Sequence, residues 1–322
     1  MGRPQEAILP LQKAIEQNPQ NATAFFKLGG ALKSLGRNEA GDAALKMASE
    51  LSPAQANLER ATQLFAQGKF RESEEIAKKI LEDNPREVNA GLLLGRIAIH
   101  ARAFKQAEKL LKRVIKIAPK FILAWHELSN ALREQGKDEE AIELLEEALL
   151  FDTENATTHY QLAAALAVAG RTADSASAYK KAVQIDPNLV GAYLGLGHTL
   201  KTMGDLEGGI AAYKQARKLK PNIGEISFSL SNLKTFRFSD LEIEDMKRRL
   251  KNPNLDQPSK VAFSFSLGKA YEDMKKYDEA FEFYLRGNEI HRSLVTYDPV
   301  QTEVSNEKLK EVFSKDFFDK LD

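Results

Sequence analysis

The side chains best suited to chemistry are five histidines, His100, His126, His159, His198 and His291. Metal ligation from one helix needs two of them three or four residues apart, so that both imidazoles leave the same face. No pair has that spacing. His126 and Glu127 open a run like HExxH, but residue 130 is asparagine, so the second zinc ligand is missing. His126 is therefore expected to be a groove or surface histidine. Neither GxxxxGK(S/T) nor GxGxxG occurs, and with them goes the backbone device that cradles phosphate. The absence of cysteine excludes disulfides, thiol nucleophiles and thiolate metal sites together. The acidic runs 138–140 and 146–147 read as a solvated helix face, not a carboxylate pair. The expectation is a chain with no catalytic residue, no metal and no cofactor.

Charge narrows the partners. Lys plus Arg and Asp plus Glu each number 46, which leaves no excess of cations to neutralise a phosphate backbone, so nucleic acid is not expected as a partner. Hydrophobic residues at 43% and charged residues at 29% suit a folded protein and argue against long disorder. No secretory signal is visible at the N-terminus, and Glu6 stands where a myristoylation motif wants Ser or Thr. No stretch approaches the ~18 consecutive apolar residues that span a bilayer. A cytoplasmic protein without membrane insertion is expected, its oligomeric state open.

Any site must then be a surface that helices build. Residues 121–153 read as two amphipathic helices: Trp125, Leu128, Ser129 and Leu132 share one face, Gly136 breaks the pattern, and Ala141, Leu144, Leu145 and Ala148 form a second stripe. Such a pair cannot bury itself alone, and copies follow. Pro19, Pro53, Pro85, Pro119, Pro187 and Pro221 are spaced 34, 32, 34, 68 and 34 apart, with Thr153 at the midpoint of the long interval. Counted from the first residue of each copy, position eight is always small (Gly29, Ala61, Gly95, Ser129, Ala163, Gly197, Ser231, Gly268), and so is position twenty (Ala7, Gly41, Ser73, Ala107, Ala141, Ser175, Gly209, Ala280). Two helix backbones are expected to approach closely there. Position twenty-seven stays compact (Ala14, Ala48, Ile80, Val114, Ala148, Ala182, Ala216, Gly287). Position twenty-four carries Leu11, Leu45, Leu111, Leu145, Tyr179, Tyr213 or Tyr284 to fill the space between layers, each contributing ~1.5–3 kcal/mol on burial. Gly2, Gly36, Gly68, Gly136, Gly170 and Gly204 sit at the turn, where a left-handed residue ends the helix.

This period and signature resemble the tetratricopeptide repeat (TPR), with a Trp, a closing Pro and small residues at the helix contacts. The resemblance implies an all-α, right-handed α-α superhelix, a TPR solenoid of stacked helix pairs. The expected organisation is an array over 1–223 that begins inside a repeat, degenerate connector helices over 224–257, a TPR-like repeat over 258–296, and a C-terminal helix within 297–322. Within the connector, Ser239 or Asp240 is expected to cap a helix over 241–250 whose apolar face holds Leu241, Ile243, Met246 and Leu250. The last helix is expected over 304–321, with Phe313, Phe317 and Phe318 exposed. The first helices of the family line the concave side. The resemblance thus implies a groove of Phe26, Lys27, Lys33, Arg96, His100, His126, Glu127, Asn130, Arg133, Tyr160, Gln161, His198, Lys201 and Asn232, suited to an extended protein or peptide partner. The family's chaperone-tail clamp is not matched, because His126 and Phe228 precede Asn130 and Asn232 by one turn. The asparagine ladder of the nucleocytoplasmic glycosyltransferase array is also missing. Residues 230–250, with the specific run NLKTFRFSD, residues 267–292 and the Tyr297-Asp298-Pro299 linker resemble the connector of bacterial repeat-linked sulfotransferases. That likeness implies, as an alternative, a substrate-recruiting region ahead of a domain that uses phosphoadenosine phosphosulfate (PAPS). The phosphosulfate loop itself is not among these residues, so no catalytic residue carries over.

Overall fold

The computed structural model describes residues 4–295 and 298–318 of the 322-residue chain. Gly2, Tyr297 and residues 319–321, which figure in the sequence expectations, lie outside the described residues. Every regular element among the described residues is a helix, and the chain divides into two compact units, Met1–Pro187 and Asn188–Asp322. The first unit holds α1 (Pro4–Gln17), α2 (Ala22–Ser34), α3 (Asn38–Leu51), α4 (Pro53–Ala66), α5 (Phe70–Asp83), α6 (Val88–His100), α7 (Phe104–Ile117), α8 (Ile122–Arg133), α9 (Asp138–Phe151), α10 (Ala156–Val168) and α11 (Thr172–Ile185). The second holds α12 (Val190–Thr202), α13 (Leu206–Leu219), α14 (Gly224–Ser231), α15 (Asp240–Leu250), α16 (Gln257–Asp273), α17 (Tyr277–Leu294), α18 (Pro299–Val312) and α19 (Lys315–Phe318). The architecture is the all-α TPR solenoid, built of stacked helix pairs within each unit.

The small residues do what their spacing predicts. In α3, α5, α11 and α13, position twenty rests on the main chain of position eight in its own pair. Ser73 Oγ donates to the Ala61 carbonyl at 2.7 Å, and Ser175 Oγ donates to the Ala163 carbonyl at 2.8 Å. Position eight must in turn be small because position twenty-four lies across it. A Cβ added at Gly29 or Gly95 would come within 2.6 Å of Leu45 or Leu111. Ala61, Ser73, Ala107, Ala141, Leu145 and Ala148 are all buried at these contacts.

Turns and caps supply the punctuation. Gly36, Gly68, Gly136, Gly170 and Gly204 have φ between +72° and +86°. Arg102 (φ 57°) and Lys275 (φ 60°) take the same conformation without being glycine, at a local cost of ~1–2 kcal/mol that tertiary packing must cover. Trp125, 2% exposed, donates from Nε1 to the Pro119 carbonyl at 2.8 Å and packs on Phe151, locking the entry of α8 onto the end of α9. Pro53 departs from the even proline spacing. It is the first residue of α4, with Ser52 alone between α3 and α4 and its hydroxyl accepting from Gln55 N.

In the second unit α14 stops at Ser231 and an irregular stretch leads to α15, which Ser239 caps with Glu242 in a reciprocal capping box. Ile243, Met246 and Leu250 are buried as expected, whereas Leu241 is 84% exposed and does not belong to that face. Its place in the first turn turns it outwards, away from the cluster formed with Phe263 and Leu267. The last helix also differs from expectation. Asp298 caps α18 and Pro299 opens it, earlier than residue 304, and it ends at Val312. Ser314 accepts from Phe317 N and starts the short α19, so the apolar run is broken into two pieces. Phe313, Phe317 and Phe318 are exposed as expected.

His126 is a correction. It is buried, with Nε2 2.7 Å from Thr158 Oγ1, and so bridges α8 to α10 instead of facing a groove. The buried Thr158 lies opposite, which the spacing within α8 alone does not reveal. Burial holds the imidazole below its ordinary value.

Two outcomes follow from this packing. Ala141→Leu is expected to overpack the contact and cost about 1–3 kcal/mol in chemical denaturation, while the exposed control Glu143→Gln stays within about 0.5 kcal/mol; an equal effect of both would refute the register. Because the unfolded chain protonates His126 first, its contribution is intact above about pH 6.5 and is lost as pH falls towards the lower folded value. The melting temperature is therefore expected to drop between pH 7 and pH 5, and to drop less in His126→Gln. His198 is also held low by burial and titrates alike in both proteins, so the difference between them belongs to His126. Identical drops would exclude the assignment.

Candidate functional site

The expected groove residues of the first unit sit on α2, α6, α8 and α10, and several are already engaged with one another. Arg96 Nε donates to Glu127 Oε1 at 2.6 Å, joining α6 to α8. The His100 ring lies 3.8 Å from that of Phe70. Lys27 is exposed and Phe26 half-buried. Lys33 reaches Asp42 at 2.6 Å on an open surface, where such a pair contributes about 0–1 kcal/mol. Phe26 and Lys33 also line a pocket of about 400 Å3 with Leu45, Ala56 and Arg60.

Asn130 and Arg133 come together in a larger opening. They line a pocket of about 710 Å3 with Ile99, Arg102, Phe104, Glu134, Asp138 and Val168. Arg133 Nε is buried there without a hydrogen-bond partner, and Gln161 Oε1 on α10 is likewise buried and unpaired. Tyr160 stands 6.1 Å from Tyr179, whose hydroxyl is pushed up to about 12, by burial first and by Tyr160 second, with Arg133 opposing. Arg133, Tyr160 and Tyr179 are therefore close enough to act on one another, and Gln161 follows Tyr160 on α10. Glu108 on α7 braces the turn between α8 and α9. Hydrogen bonds from Lys112 and Lys137 lower its carboxyl to about 2, and Gln135 also donates to it at 3.2 Å. Sequence reasoning missed Arg102, Phe104 and Val168. The signal was present for Arg102, a cation at the one turn of the first unit's two-helix copies where the others hold glycine, its guanidinium 6.0 Å from the Phe104 ring.

His198, Lys201 and Asn232 belong to the second unit. His198 Nδ1 lies 2.8 Å from the Tyr213 hydroxyl, so its ring is held by its own repeat, and Lys201 is exposed. Asn232 closes the end of α14, where its N–H donates to the Phe228 carbonyl at 3.1 Å. Among the described residues, no group of three or more His, Cys, Asp or Glu is placed to hold a metal ion, and no helix is long and apolar enough to cross a membrane.

Solved structures that resemble the chain include MamA of Desulfovibrio magneticus, at 16% identity and TM-score 0.47, covering 53% of this chain and 96% of that one. TTC0263, a thermophilic TPR protein of Thermus thermophilus, has 21% identity and TM-score 0.46, with 54% and 94% covered. YrrB, a TPR protein with an unusual peptide-binding site, has 16% identity and TM-score 0.41, with 66% and 92% covered. No curated protein sequence matches. Sequence models described as tetratricopeptide repeat match residues 64–132, 190–223 and 262–292, and one described as TPR repeat matches 129–170. Together these matches span more than half of the chain. With the helix pairs, their small-residue contacts and their left-handed turns, they establish that the chain belongs to the tetratricopeptide-repeat family.

Proposed function

We propose that the chain is a non-catalytic scaffold that holds an extended polypeptide along the first helices of its first unit, with Asn130, Arg133, Tyr160 and Gln161 at the centre of the contact. One observation carries the reading. Arg133 Nε and Gln161 Oε1 are a donor and an acceptor, both buried and both without a partner. A buried polar group left unpaired costs about 1–3 kcal/mol, so a fold keeps such a pair where a ligand completes it. A peptide unit carries one carbonyl and one N–H, the complement of the two. Asn130 adds an amide that can serve either partner, and the Tyr160 ring offers an apolar face with a polar tip. His126 is left out of this set because it is buried against Thr158.

A second reading keeps the same module as the recruiting region of a repeat-linked sulfotransferase. The array's break over 232–239 supports it, since a short α14 and a capping box replace the usual glycine turn there. The gene downstream of Asp322 checks it. An in-frame phosphosulfate loop supports the reading, and a stop codon with no such loop removes it.

The scaffold reading is tested by capturing a partner on the immobilised chain, identifying it, and measuring its affinity for wild type and for the triple variant Asn130→Ala, Arg133→Ala, Tyr160→Ala. A loss of about tenfold or more, 1.4 kcal/mol, is expected. Unchanged affinity in a folded variant sinks the assignment.

A further inference from the structure

We infer that the cleft between α4 and α5 is a binding pocket for an aromatic side chain presented by a partner polypeptide. The clue is how the chain treats the fourth position of each copy, four residues before the small position eight. In α8 that position is Trp125, 2% exposed, packed on Phe151 at 5.5 Å and hydrogen-bonded to the Pro119 carbonyl. In α10 it is His159, whose Nε2 lies 3.0 Å from the Thr153 carbonyl, and in α2 it is the half-buried Phe25. In α8, then, a ring wedges the start of the first helix against the second helix of its pair.

In α4 the wedge is missing. Asn57 stands at Trp125's place and is exposed, and Asp83 stands at Phe151's place. What opens is a pocket of about 770 Å3 with Leu58, Ile76 and Ile80 as an apolar wall and Asn57, Asp83 and Asn84 as polar groups. Leu58 is 9% and Ile80 7% exposed. A small residue at the fourth position does not by itself open such a space. Gly91 holds it in α6, but a Cβ there would meet Val114 Cγ2 at 2.6 Å, and Arg113 Nη2 donates to the Pro85 carbonyl at 2.9 Å, so the second helix fills the wedge itself. In the second unit Ser227 leaves only about 140 Å3, beside the Arg217–Glu242 ion pair. The cleft at Asn57 stays open because nothing on α5 replaces the ring.

The chain's own precedent specifies the occupant. The same wedge accepts a Trp in α8, and an aromatic ring in the cleft would cover the edges that Leu58, Ile76 and Ile80 leave open. Asp83, in place of Phe151, provides a carboxylate acceptor for a ring N–H or O–H. A tryptophan or tyrosine anchor fits better than phenylalanine on that ground. The pocket shares no residue with the one at Asn130 and Arg133, so the two readings stand or fall separately.

Titration of the full chain with indole, followed by amide NMR, tests the inference. Shifts concentrated in residues 52–87 are expected in wild type, with binding weakened about tenfold or more in Asn57→Trp and Asn57→Phe. Asn57→Trp should also raise the melting temperature, since it supplies the missing wedge. If Asn57→Trp loses its helical circular dichroism, Asn57→Phe carries the comparison. The triple groove variant should bind indole as wild type does. Absence of indole-dependent shifts, or equal binding by wild type and the Asn57 variants, overturns the proposal.

Discussion

Everything in this fold depends on two helix backbones coming close enough for a serine hydroxyl on one to reach a carbonyl on the other. At Ser73 and Ser175 the approach is visible as a hydrogen bond to Ala61 and Ala163. At Gly41 and Gly209 it appears as the near contact that a Cβ would make with the carbonyls of Gly29 and Gly197, at 3.0 and 3.2 Å. Side chains of three sizes satisfy one constraint. The large residue at position twenty-four then lies over the small one at position eight, which explains why neither can vary freely while the outward faces do. Interiors packed to this density transmit a misfit of one methylene, so the contact specifies the angle of each pair.

Away from that contact the copies differ, and the differences are where pockets open. The turn admits arginine at Arg102 and lysine at Lys275 because packing on either side outweighs the left-handed penalty. Arg102 then projects its guanidinium towards a pocket that glycine would have left unlined. At the fourth position the same logic runs in reverse, since the loss of a ring at Asn57 leaves a space that the repeat would otherwise fill. Neither change disturbs the serine, alanine and glycine contacts, and so a scaffold can vary its surface without losing its pairs.

Polar interactions in the first unit brace this framework more than they decorate it. Glu108 gathers Lys112, Lys137 and Gln135 at the junction of α7, α8 and α9 and remains ionised far below the usual carboxylate range. Arg96 and Glu127 tie α6 to α8, and His126 ties α8 to α10 through Thr158. Three of the side chains first read as free to meet a ligand, Arg96, Glu127 and His126, are thus spent on holding neighbouring repeats together. The buried atoms of Arg133 and Gln161 are without a partner against that background, as is Ser129 Oγ on α8.

The amino-acid sequence alone determined the helix pairs, their register and the family. Period, small residues and turn glycines are local properties, and each copy repeats the evidence. The serine cap before α15 and the outward phenylalanines near the C-terminus were legible for the same reason. Tertiary structure decided which polar residues are free. A helical wheel says that His126 and Asn130 share a face of α8, but whether that face meets Thr158 or a pocket depends on the next pair. It also decided that Pro53 opens α4, that Leu241 points outwards, and that Asn57 leaves an opening while Gly91 does not. These outcomes depend on what the neighbouring helix puts across the gap, and no periodicity within one helix encodes that.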